Sequence, residues 1–166
     1  MIYVIGLIIL LLVILFFIVL FNYFKLKDIK ESIETCALSI DELLNSKLEL
    51  VEKILKKIKN EKLKSSFEYD KDSTLYERED ALFNISFEIN KYIKESNNKK
   101  LKDDARELSA MEESLDGLKD FYNTNALNYN EIFFKKGLNK VFKLLKFEGY
   151  KSFKIRKLEE YEIFKN

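Results

Sequence analysis

The chain has 166 residues, 47% of them hydrophobic and 34% charged, with 29 Lys+Arg against 28 Asp+Glu and a net charge of +1. It lacks histidine, has one cysteine, Cys36, and carries four scattered glycines, Gly6, Gly117, Gly137 and Gly149. Histidine-based triads, histidine metal sites, internal disulfides, P-loops and dinucleotide fingerprints are therefore excluded. The balanced charge offers no long-range attraction for nucleic acid. The composition predicts a protein that is not an enzyme, with no catalytic, cofactor-binding or metal residues and no cofactor.

The averages conceal two materials. Every charge lies after Phe24, and only Gly6 and Asn22 among the first 24 residues fall outside the hydrophobic set. Residues 2–21 form a run that, as a helix, spans about 30 Å, the thickness of a bilayer's hydrocarbon core. Tyr3 and Tyr23 suit the two interfacial belts. No basic residue precedes the run and no small-residue cleavage site follows it, which predicts a retained signal-anchor over 1–24. Lys25, Lys27 and Lys30 flank its C-terminal side only. By the positive-inside rule this predicts a single-pass cell-membrane protein with its N-terminus outside and its C-terminal domain cytoplasmic.

From Leu26 to Ile58 apolar residues recur every three or four positions, predicting one long amphipathic helix that continues out of the bilayer. Residues 64–73 read as a loop, and Thr74 with Glu77 as a capping box opening a second helix through Leu75, Leu82, Ile85, Ile89 and Tyr92. Ser96, Asn97 and Asn98 make a turn. A third helix runs from Leu101 through Leu108, Leu115 and Tyr122 to Phe133, and Gly137 ends it. A short fourth follows from Leu138 to Leu145. At most a short extended piece surrounds residues 150–155, and a tail of 150–166 is either a last helix or a frayed end. The expectation is an all-α chain: a transmembrane helix, then an antiparallel up-and-down bundle of about four helices over 25–149.

Glu112, Leu115, Lys119, Tyr122-Asn123, Ala126 and Tyr129-Asn130 stand at a spacing that resembles the signature helix of the LemA family of bacterial membrane proteins. Ala37, Ile40-Asp41, Leu44, Lys47, Leu50-Val51, Ile54-Leu55 and Ile58-Lys59 follow that family's first helix. The family's usual prolines are replaced by Glu52, Ile93 and Gly137, its arginine by Lys119 and a histidine by Asn60, so the chain is similar to a divergent member. The resemblance implies a membrane-anchored helical bundle, and the family carries no established biochemical activity.

Tyr122 and Tyr129 lie two helical turns apart and share a face with Asn123 and Asn130 beside them. Two readings compete. Together with Glu112 and Lys119 they form a candidate interaction face for a protein partner, or they fill the bundle while their polar atoms satisfy backbone groups. Asp103-Asp104, Glu112-Glu113 and Glu159-Glu160 read as solvated faces, because adjacent helical positions diverge by about 100°. Lys99-Lys100 and Lys135-Lys136 read as solvated faces or, less favoured, as contacts to anionic lipid or phosphate. Cys36 reads as a packed small hydrophobe. The predicted function is a membrane-anchored helical scaffold or interaction protein. Its partners are the bilayer, through residues 2–21, a protein and a second copy of itself, with no nucleic acid. The alternative is a coiled-coil strut or stator-like subunit of a membrane assembly.

Overall fold

The computed structural model describes residues 2–96, 99–154 and 156. The chain is all-α, with no strand among these residues. Helix α1 covers Ile2–Lys57, α2 Glu61–Ser65, α3 Leu75–Ser96, α4 Lys102–Phe133 and α5 Asn139–Leu144, and a 3-10 turn at Lys99–Leu101 leads into α4. With neither proline nor glycine between Gly6 and Lys57, nothing interrupts α1 for 56 residues. Lys56 and Lys57 close it, cations at the negative end of the helix dipole.

The residues fall into two compact units. The first is Met1–Thr35 with Tyr122–Ser152, and the second is Cys36–Phe121 with Phe153–Asn166. Helices α1 and α4 contribute to both.

In the first unit, α1 begins with a stretch long and apolar enough to cross a membrane, exposed from Tyr3 to Ile18 and half-buried at Val19 and Leu20. The core lies further along: Leu26, Ile33, Ala126, Tyr129, Phe133, Leu138 and Phe142 are buried. It is an aromatic core. Tyr129 stacks on Phe133 at 6.1 Å and meets Tyr150 edge-on at 4.9 Å, and Phe147 meets Tyr23 edge-on at 5.6 Å. Gly137 turns the chain between α4 and α5 at φ 89, a left-handed backbone natural to glycine, and the Lys135 carbonyl accepts from the Leu138 and Asn139 N–H groups there.

The second unit is a bundle of α1, α3 and α4. Its register is read from three contacts: the Cys36 thiol donates to the Leu118 carbonyl, Lys47 pairs with Glu112, and Lys57 pairs with Asp104. As numbers rise on α1 they fall on α4, so these helices are antiparallel. Helix α3 differs from a strict up-and-down order. Arg78, near its start, pairs with Asp41 in the middle of α1. Residues 58–74, carrying α2, therefore return along the bundle, and α3 runs parallel to α1 and antiparallel to α4. A connection of that length can recross a bundle, whereas a short turn cannot. Residues 61–65 of this connection are helical, where the polarity of 64–73 predicts a loop from Lys64.

The capping box at α3 is formed as predicted: the Thr74 N–H donates to the Glu77 carboxylate at 2.9 Å and the Glu77 N–H to the Thr74 hydroxyl at 3.4 Å. Asn97 and Asn98 of the predicted turn, and Ile155 and 157–166 of the predicted tail with Glu159-Glu160, lie outside the described residues. Of the described tail, residues 150–152 belong to the first unit, and Phe153 is buried in the second against Tyr76 at 4.6 Å.

Candidate functional site

The second unit encloses charge. Lys47 on α1, Glu79 on α3, Glu112 and Lys119 on α4, and Arg156 after the last helix are all buried. Helical periodicity puts them there. Lys47 occupies the stripe between Leu44 and Val51, while Glu112 and Lys119, seven residues apart, flank Leu115 on the inner face of α4. Glu79 fills the gap between Leu75 and Leu82 on α3.

Lys47 donates to Glu112. Lys119 donates to Glu79 at 2.9 Å and lies 3.8 Å from Asp116. Arg156 donates from one nitrogen to Glu79 at 2.9 Å and from another to Asp80 at 3.1 Å, with its guanidinium 3.6 Å from the centre of the Phe83 ring. That is a bidentate, stacked arrangement for which arginine is suited and lysine is not. Three buried cations thus serve two buried carboxylates, with Asp80 at the rim. Glu112 Oε2 and Arg156 Nε make no hydrogen bond in the structure.

Burial pushes the Lys47 ammonium well below the ordinary lysine range. The charge of Glu79 opposes this, while Lys119 and Arg156 add to it. A second, shallower cluster joins α1 to the start of α4: Asp104 accepts from Lys57 at 2.5 Å and lies 3.2 Å from Lys53. Burial alone would raise the Asp104 carboxyl, but these hydrogen bonds and charges outweigh it and hold the group below the usual carboxylate value.

Lys47 serves Glu112, while Lys119 and Arg156 share Glu79. Among the described residues no three of His, Cys, Asp and Glu converge to hold an ion. The buried pairs tie α1 to α4, α4 to α3, and the segment after α5 to α3.

The candidate interaction face is not assembled as a surface. Tyr122 and Tyr129 are buried in the first unit, while Glu112 and Lys119 are buried in the second. The seven-residue spacing does put one face together, and that face is the inward one. Asn130 acts through its amide, which donates to the Tyr150 carbonyl at 2.7 Å and accepts from the Tyr150 N–H at 3.0 Å, clamping the segment after α5. Asn123 is half-buried. A Cβ on Gly149 would come within 3.1 Å of the Asn130 oxygen and of Phe134, so the clamp closes over a residue with no side chain. Burial, then Tyr150, Glu34 and Glu148, push the Tyr129 hydroxyl up to about 12.

Two further expectations are corrected. Glu112 and Asp104 are buried and paired rather than solvated, because one member of each adjacent acidic pair turns into the bundle while Glu113 and Asp103 turn out. Lys47, Glu79 and Arg156 escape a reading by apolar periodicity. The signal for Lys47 and Glu79 is a charge standing where an apolar stripe requires a residue. Cys36 is buried as expected.

In comparisons with known proteins, no family model, no curated protein and no solved structure matches the chain.

Proposed function

We propose that this is a single-pass membrane protein, N-terminus outside and helical domain cytoplasmic, that holds a LemA-like scaffold beside the bilayer as an interaction module rather than an enzyme. The observation that carries the reading is the continuity of α1. One helix presents an exposed apolar surface over 3–21 and, with no break, a stripe buried in bundle cores from Leu26 to Leu55. An exposed apolar surface of that length matches the hydrocarbon core of a bilayer. Of the positions at which the sequence resembles that family, Ile40, Leu44, Lys47, Val51, Ile54, Glu112, Leu115, Lys119, Tyr122, Ala126 and Tyr129 are buried.

The test is alkaline carbonate extraction of membranes expressing the full chain. Retention in the pellet, with loss of retention when 2–21 is deleted, supports the anchor. Release of the full chain into the supernatant overturns it. Co-purification in mild detergent then seeks the protein partner.

The strut reading draws on the length of α1, about 84 Å at 1.5 Å per residue. Against it, the α1 stripe from Leu44 to Leu55 is already buried inside its own unit, leaving no apolar seam there for a second copy.

A further inference from the structure

The first unit carries a segment that neither the ion cluster nor the anchor explains. Residues 132–147 contain Lys135, Lys136, Lys140, Lys143 and Lys146 and no acidic residue. All five lysines are exposed. Phe133, Leu138 and Phe142 fasten the segment inward, while Phe134, Leu144 and Leu145 face out, with Leu144 at 84% exposure. Apolar side chains interleaved with lysines on the outer surface are the composition of an interfacial element. Its position relative to the anchor is known within this unit. Phe147 contacts Tyr23, which is only two residues, about 3 Å of helix, beyond Phe21 at the end of the apolar run. Leu145, Lys146 and Phe147 line a groove of about 440 Å³ together with Tyr23, Lys27 and Lys30 of α1. The groove's remaining wall includes Glu31 and Glu34, of which Glu34 lies 3.6 Å from Lys30.

We propose that residues 134–147 dock on the anionic headgroups of the bilayer that α1 crosses, with Leu144 and Leu145 entering the acyl boundary and the five lysines on lipid phosphates. This rests on the anchor reading, because Tyr23 sets the height of Phe147 only if residues 3–21 are in lipid. The charges match: lysines near an anionic leaflet are each attracted to it, and the attraction fades within a Debye length, which the Tyr23 contact brings within reach. A soluble protein has little use for Leu144 and Leu145 adjacent and exposed at the end of a short helix, whereas a headgroup layer covers them.

The chain has no tryptophan, so a single one reports its own surroundings. The full chain bearing Leu144→Trp, and separately Val13→Trp, is placed in nanodiscs of phosphatidylcholine alone or with phosphatidylglycerol, with and without brominated acyl chains. The expected result is strong quenching at position 13 in both lipids. At position 144 quenching with a shift to shorter wavelength appears in the anionic discs, is weaker in neutral ones, and falls to the neutral level when all five lysines are changed to Gln. Quenching at 13 but not at 144 overturns this inference alone, and quenching at neither overturns the anchor as well. Equal quenching at 144 in both lipids overturns the anionic assignment. A blue-shifted emission at 144 that bromine does not quench means that protein covers the leucines, a second copy if it varies with chains per disc, and also overturns it.

Discussion

Lys47 shows how much depends on pairing. A buried ammonium is tolerable when a carboxylate shares its environment, and removing only one partner leaves a bare charge in a medium that solvates it poorly. Lys47→Met should therefore destabilise the second unit by about 3–5 kcal/mol, whereas Lys47→Met with Glu112→Leu should leave it as stable as the wild type or more so. Urea midpoints of the three chains check this; a double variant as weak as the single one would mean that the pair supplies net stability. The same residue shows why the cluster was only partly legible in the sequence. Glu112 and Lys119 stand out through spacing, but a search for apolar periodicity passes over a lysine set within it, and Arg156 is brought in by tertiary packing that no local pattern encodes.

Tyr129 makes a second, pH-dependent claim. Its hydroxyl ionises near 12 in the fold and near 10 in an unfolded chain. A group whose pKa is raised by folding contributes stability that is complete below the unfolded value and is lost as pH climbs through the folded one. The wild type should lose stability relative to Tyr129→Phe as pH rises from about 10 to 12. Lys47 works in the opposite sense, since a depressed ammonium lets stability rise with pH until the unfolded lysine value. Only the difference between the wild type and the Phe variant isolates the tyrosine.

At the scale of elements, helix ends were the most legible part. Thr74 and Glu77 announce α3 through local chemistry, and both hydrogen bonds of the box are present. Thr74→Ala should cost about 1 kcal/mol and shift thermal unfolding down without altering helix content at low temperature, as circular dichroism would register. The existence of the long helices was equally legible, because no proline interrupts a stripe anywhere in the chain, whereas the short α2 was not. Helix direction was not. The parallel course of α3 beside α1 depends on residues 58–74 returning along the bundle, and a polar stretch of that length reads the same whether it turns or crosses. Inside and outside were legible only for apolar residues: periodicity locates the inner face of α4 but cannot say that the Tyr-Asn face is that face.

For the whole molecule, the proposed topology leads to a labelling experiment that avoids the buried native thiol. Thr124 is exposed, whereas Cys36 is not. A Thr124→Cys chain on a Cys36→Ser background should stay unlabelled by an impermeant maleimide in intact cells and label fully once the cells are lysed. Labelling in intact cells would place the helical domain on the outer side and reverse the positive-inside assignment.

The ion cluster also has an order in time. Glu79, Glu112 and Lys119 are synthesised before Arg156, which follows Lys119 by 37 residues. At about 5–20 residues per second this is a delay of several seconds. Throughout it Glu79 has only Lys119 as a cation, and the face of α3 around Phe83 lacks the guanidinium that covers it. Completion of the second unit therefore follows synthesis of its other buried charges and of the apolar segment. A chain broken off before Arg156 lacks the donor shared by Glu79 and Asp80 and leaves the Phe83 ring without the guanidinium that covers it.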